Sequence, residues 1–202
     1  MFLYDHFLSQ IGAIEAFSKD HPEFRWTVAE QGKLKFLVCN DTRFCQISND
    51  YVKCEFHVIY DELFEIPVML LNYWYLEGKL MPLKEIWSTI CSTEIARLYS
   101  DPYSVLTQMI KYEKKHRILT LENNQYSIKP KAFQEHPLFR TSWYCFHPCK
   151  TADFLNPVIE RGKRSKNLVA VWLSVMSSVV GISLPLNFEE VIFKNTPAAV
   201  EN

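Results

Sequence analysis

The stretch KCEFHVIYDELFEIPVMLLNYWY, residues 53–75, decides how the chain is built. Its first part alternates. Cys54, Phe56, Val58 and Tyr60 fall on one side of an extended strand, and Glu55, His57 and Ile59 on the other, because successive strand side chains point to opposite faces. Its second part, IPVMLLNYWY over 66–75, is apolar with little alternation, the pattern of a strand covered on both faces. Two strands this close in sequence make an antiparallel pair.

The neighbouring segments fit onto this pair. Upstream, FRWTVAEQGKLKFLVCN over 24–40 holds two β-prone runs around Gln31-Gly32, a hairpin signal. Before it, Phe7, Ile11, Ile14 and Phe17 repeat at threes and fours, which predicts a helix over 2–19. His21-Pro22 ends that helix, because the residue before a proline avoids the helical region. Downstream, Glu77-Gly78 makes a turn, and Pro82 opens a helix with Leu83, Ile86, Ile90 and Leu98 on one side. SWYCFH, 142–147, predicts a short strand, and Thr151 an N-cap for a helical turn from Ala152. A long helix is expected over 165–180 with Gly181 as its stop. The order predicts an α+β fold, an antiparallel sheet flanked by helices, in one domain spanning 1–202.

Composition narrows the function. The 202 residues are 48% hydrophobic and 14% aromatic, which is globular. A formal net charge of −1 leaves no basic surplus for nucleic acid. The segment 168–186 carries no charge, but Ser174, Ser177, Ser178 and Gly181 fall on one side and Leu168, Trp172, Val175, Met176 and Val179 on another. It therefore predicts a buried amphipathic helix closed by Pro185, and no transmembrane segment. The start, MFLYDHFLSQIG, lacks the basic and apolar regions of a signal peptide. With six unevenly spread cysteines, this predicts a reduced, cytoplasmic protein. Residues 109–133 hold six Lys/Arg against two Glu, a local balance of +4, and read as a solvated basic insertion.

Among the cysteines, Cys149 has the most reactive setting. Pro148 stiffens the backbone before it, Lys150 is adjacent, and the expected helix start at Thr151 brings a positive dipole end. A cation and a helix N-terminus both favour thiolate, the form that attacks acyl groups. Cys54 and Cys91 lie on patterned elements and read as core; Cys39, Cys45 and Cys145 show no such setting. Three other uses of Cys149 compete. Cys145, His147 and Cys149 with His136 could approach zinc, but no C-x-x-C pair supports it. A thiol hydrolase could recruit His57 or His116, though no spacing requires it. A catalytically silent interaction domain would keep Cys149 as structure.

Several segments together carry a resemblance. FHPCKTADFLNPVI (146–159), FHVIYDELFEIPVMLL (56–71), EGKLMPLKEIW (77–87), QEHPLF (134–139) and VWLSVMSSVVGISLPLNF (171–188) resemble the autophagy conjugating enzymes, the family of autophagy-related proteins 3 and 10. The similarity covers roughly 53–108 and 134–188, with a weaker match at the first helix. The long acidic insertion and tail of the protein 3 branch are not found, which favours the protein 10 branch.

This resemblance implies a ubiquitin-conjugating-enzyme-like core without cofactor or metal. It implies that Cys149 takes autophagy-related protein 12 as a thioester from the activating enzyme, autophagy-related protein 7, and passes it to a lysine of autophagy-related protein 5 during autophagosome formation. Ordinary ubiquitin-conjugating enzymes stabilise the developing oxyanion with the asparagine of a His-Pro-Asn motif. Here His136-Pro137 is followed by Leu138, so another group must serve. Tyr60 and His147 are the candidates. The family pattern runs almost directly from Thr107-Gln108 into Gln-Glu-His-Pro, so 109–133 is an addition to it. Partner contacts are expected at an exposed sheet edge and the first helix.

Overall fold

The computed structural model describes residues 4–62, 64–90, 143–146 and 167–193, and the backbone of 106–108. Helix α1 spans Tyr4–Asp20 and leads into four strands: β1 (Trp26–Gln31), β2 (Leu34–Cys45), β3 (Asp50–Asp61) and β4 (Ile66–Tyr75). Helix α2 (Leu83–Ile90), strands β5 (Leu106–Gln108) and β6 (Tyr144–Phe146), helix α3 (Leu168–Val180) and the short α4 (Glu189–Phe193) follow. The strands form one antiparallel sheet in the order β1-β2-β3-β4-β6-β5. This is the α+β architecture that the alternation predicted. The three-residue β5 was not anticipated, because so short a run carries no period.

Each turn forms where its residues favour it. Gly32 sits at φ 63 between β1 and β2, in the left-handed region that a tight hairpin needs. The Gly78 N–H donates to the Tyr75 carbonyl at 2.8 Å and closes the turn after β4. The Pro82 carbonyl accepts from Glu85 and Ile86 at 3.0 and 3.1 Å, so α2 begins behind a proline whose missing N–H costs it nothing.

The sheet has two buried faces. On the inner face, Cys54, Phe56 and Val58 of β3 and Met69, Leu71 and Tyr73 of β4 join one core. Phe7, Ile11 and Ile14 of α1, Leu83, Ile86 and Ile90 of α2, and Trp172, Leu173 and Met176 of α3 complete it. Each large side chain buried here contributes roughly 1.5–3 kcal/mol. On the outer face, Phe36, Ile59, Val68, Leu70, Trp143 and Cys145 form a second cluster, to which no helix among the described residues contributes. The continuous apolar run of β4 is explained by this double coverage.

Two expectations are corrected. Helix α3 begins at Leu168 rather than 165: Asn167 has extended backbone (φ −117, ψ 97) and caps the helix, its Oδ1 accepting from the Ala170 N–H at 2.8 Å. Gly181 stops it at φ 69, as expected. The serine side of α3 is also not uniformly polar, since Ser177 is wholly buried. Packing against both the sheet and α1 leaves this helix little exposed surface. At 13 residues it is about 20 Å long, and no helix among the described residues is long and apolar enough to cross a membrane.

Asn167 also joins three helices. Its Nδ2 donates to the Gln10 carbonyl at 3.0 Å, its N–H donates to the Ile192 carbonyl at 3.3 Å, and Gln10 Oε1 accepts from the Val169 N–H at 2.9 Å. Asn167 is fully buried. Asn167→Ala removes a cap worth about 1 kcal/mol, leaves the buried Ala170 N–H without its acceptor and takes a second donor from the Gln10 carbonyl, so a total loss of about 2–3 kcal/mol is expected. Urea unfolding measures this as a lower midpoint with unchanged slope; a loss under about 0.5 kcal/mol would show that the junction does not hold the helices.

Candidate active site

Strand β6 pairs with β4 through Leu70↔Cys145 and Leu71↔Tyr144. Because the pairing is antiparallel, β6 runs toward the end of the sheet where β3 turns into β4. That end carries Tyr60, paired with Pro67, and Asp61, paired with Ile66. Of the three sequence-predicted site residues, Tyr60 lies at this end. Cys149 and His147 lie outside the described residues, as do His116, His136, the expected helix start at Thr151 and the basic segment 109–133.

Tyr60 is half-buried against the inner core. Its ring meets Phe7 at 5.8 Å and Tyr4 at 5.6 Å, both of α1, at tilted angles of 41° and 48°. Burial, then the carboxylates of Glu65, Glu62 and Asp61, push its hydroxyl above the ordinary phenol value. Tyr60 is therefore a neutral hydrogen-bond donor at physiological pH. The turn beside it is built by its own residues: Asp61 Oδ1 accepts from the Phe64 N–H at 3.0 Å, and Glu65 takes a left-handed φ of 54. Phe64 is half exposed there.

The described cysteines are poorly suited to nucleophilic chemistry. Burial first, then the nearby charges, set the Cys39 and Cys54 thiols at about 12. Burial pushes the Cys145 thiol up as well, and its Sγ donates to the Phe146 carbonyl at 3.1 Å. Cys54 is core, as its place on β3 predicted. Cys45 differs: burial raises its thiol, but hydrogen bonds from Ser48, Thr89 and the backbone more than offset this and leave it below the ordinary value. The sequence offered no sign of that setting, because Thr89 arrives from α2, 44 positions away, with its hydroxyl 3.3 Å from the sulfur. Cys45 is wholly buried, however, so no acyl donor reaches it.

His57, weighed as a hydrolase partner, is also fully buried, on the outer face. Its Nε2 lies 2.6 Å from Glu55 Oε1, and its ring packs on Trp143 at 4.4 Å. Among the described residues, no three His, Cys, Asp or Glu side chains gather as a metal site. The free sheet edge expected for partners is partly closed at β1, where Glu15 Oε1 of α1 accepts the Val28 N–H at 2.8 Å. One residue that sequence reasoning missed is Tyr4. Its only signal is its position three residues before Phe7, at the head of the α1 stripe.

The family described as "Autophagocytosis associated protein, active-site domain" matches residues 15–187. Over 144 residues the chain is 28% identical to ubiquitin-like-conjugating enzyme ATG10 of Homo sapiens, covering 70% of this chain and 54% of that protein. Over 138 residues it is 22% identical to the protein of the same name in Arabidopsis thaliana, covering 65% of this chain and 50% of that protein. The chain thus spans about half the length of the curated relatives it matches.

Proposed function

Since the chain belongs to the family of autophagocytosis-associated active-site domains, we propose that it is a ubiquitin-like-protein conjugating enzyme with Cys149 as its thioester nucleophile. One observation carries the reading: β6 runs toward the sheet end that bears Tyr60, and Cys149 follows the last residue of β6 by three positions. Covalent geometry alone keeps Cys149 within about 11 Å of Phe146 along the chain.

The chemistry is two acyl transfers. The Cys149 thiolate attacks the thioester carbonyl on the activating enzyme, a new S–C bond forms, and the activating enzyme's thiolate leaves. An acceptor lysine amine then attacks the carbonyl on Cys149. A C–N bond forms, the amine loses its proton to solvent, and Cys149 leaves as thiolate. Negative charge builds on the carbonyl oxygen in each step, and a preset donor aimed at that oxygen lowers the barrier. Tyr60, neutral and held by two rings, suits this role; His147, two residues before the nucleophile, is the second candidate. The proposed cargo is autophagy-related protein 12, delivered by autophagy-related protein 7 and passed to autophagy-related protein 5 in the cytoplasm.

The test is a loading reaction with purified protein, activating enzyme, cargo and ATP, resolved with and without thiol reductant. A reductant-sensitive adduct is the expected result. Its absence, with the activating enzyme shown competent in the same experiment, overturns the proposal in favour of an interaction domain.

We read 1–202 as one domain with 109–133 inserted into it. Deleting 109–133 is expected to leave loading within about twofold of wild type, since solvated additions to loops perturb a core little. Lost transfer with intact loading would instead mark the segment as a contact for the acceptor.

A further inference from the structure

Tyr4 stands at the first described turn of α1, yet it is tied to two strands. Its hydroxyl accepts from the Lys35 N–H at 2.9 Å, just inside β2, and reaches the Lys33 carbonyl at 3.5 Å. Its ring stacks on Phe7 at 6.2 Å and 18°, and lies 5.6 Å from the Tyr60 ring. Phe7 is fully buried and fixed by the core. The half-buried Tyr60 ring is therefore flanked by two aromatic rings. One is anchored in the core, and the other is pinned by its own hydroxyl to the β1–β2 turn.

From this arrangement we infer that Tyr4 is a positioning residue for acyl transfer, holding the Tyr60 side chain in the orientation from which its hydroxyl donates. The inference rests on the conjugating-enzyme reading above and gives α1 a part in it. A phenol on a strand end has more than one rotamer available, and each wrong rotamer withdraws the donor from the reacting carbonyl. A clamp that excludes them supplies preorganisation, which is where hydrogen-bond donors gain most of their catalytic effect. Tyr4 touches neither cargo nor acceptor in this scheme. It acts only through Tyr60.

The experiment is single-turnover discharge of the preformed thioester to free lysine, measured over a range of lysine concentrations, so that loading does not enter the rate. Tyr60→Phe keeps the ring and its contacts but removes the donor, and is expected to slow the maximal rate by about tenfold or more. Tyr4→Ala, which removes the clamp, is expected to slow it about fivefold, and Tyr4→Phe, which keeps the ring but frees it from Lys35, about twofold. The lysine concentration for half-maximal rate should not move in either. The deciding readout is the double variant: with Tyr60→Phe present, Tyr4→Ala should add less than about twofold, because there is no hydroxyl left to orient.

Independent, multiplying effects would make Tyr4 a fold residue and overturn the inference, as would a normal rate for Tyr4→Ala beside a slow Tyr60→Phe. If Tyr4→Ala fails to fold, Tyr4→Leu retains the apolar bulk and takes its place. A normal rate for Tyr60→Phe also overturns it, while the appearance of the adduct on Cys149 judges the carrier reading separately.

Discussion

Cys149→Ala forms no thioester in the loading reaction, and Cys149→Ser forms an adduct that survives reductant: these are the expected results with the largest effect. The serine oxygen can take the acyl group, but an oxygen ester resists thiols and reacts slowly with amines, so loading is trapped and transfer stops. The loss should be complete, to the detection limit of the gel, because none of the four described cysteines can stand in and Cys91 reads as core from its place on a patterned element. At pH 8 a thiol with a pKa of about 12, as at Cys39 and Cys54, is thiolate in roughly one molecule in ten thousand. Cys145 lies still further from ionisation and is spent in a hydrogen bond to the Phe146 carbonyl. Cys45 is more acidic but has no exposed surface. A residual reductant-sensitive adduct on Cys149→Ala would move the nucleophile elsewhere, and mass spectrometry of the adduct would locate it. A hydrolase would separate from this outcome by turning the thioester over without any acceptor.

The second large effect is expected at a residue that takes no part in the chemistry. Replacing Arg43 by alanine should cost about 2–3 kcal/mol of stability. The Arg43 side chain is only 14% exposed, on the inner face of β2. Its Nε donates to Asp41 Oδ2 at 3.0 Å and its Nη1 to the Tyr73 hydroxyl at 3.2 Å. Nη1 also donates to the Val180 carbonyl at the C-terminal end of α3, and the guanidinium lies 5.0 Å above the Phe56 ring. One planar cation thus fastens the sheet to the negative end of the closing helix.

Removing it leaves the fully buried Tyr73 hydroxyl and the last α3 carbonyl without this donor. Breaking a buried pair usually costs about 3–5 kcal/mol; the lower figure here reflects Asp41, whose side chain is 35% exposed and regains water. Arg43→Lys should recover less than half the loss, because one ammonium cannot reach all three acceptors in the geometry of the fork. Gly181 constrains the same spot: a Cβ there would lie 3.4 Å from Nη1, at a φ of +69 that disfavours any side chain. A urea midpoint for Arg43→Ala within error of wild type would remove Arg43 from this role.

Neither Arg43 nor Tyr4 could be found by reading along the chain. Arg43 looks like an ordinary charged strand residue until Val180 is brought beside it from 137 positions away. Tyr4 looks like one more member of the α1 stripe until β2 supplies Lys35, 31 positions on. Cys45 owes its lowered thiol to the same kind of distant arrival. The proposal of Cys149, in contrast, rests on local features alone: the proline before it, the lysine after it and the helix start expected at Thr151.

The difference follows the range of the forces involved. Alternation, helical stripe, hairpin glycine and proline start are set by backbone geometry within a few residues, so the strands β1 to β4, the helices α1 to α3 and the stops of α1 and α3 could be read from the sequence alone. Which polar groups are buried together depends on how the sheet twists the chain back on itself. Only the tertiary structure decided that the Tyr60 ring is flanked by Tyr4 and Phe7, that the β1 edge is partly closed by Glu15, that His57 is sealed under Trp143, and that a single guanidinium joins sheet to helix, because each of these contacts exists only once apolar burial on both faces of the sheet has brought its partners together.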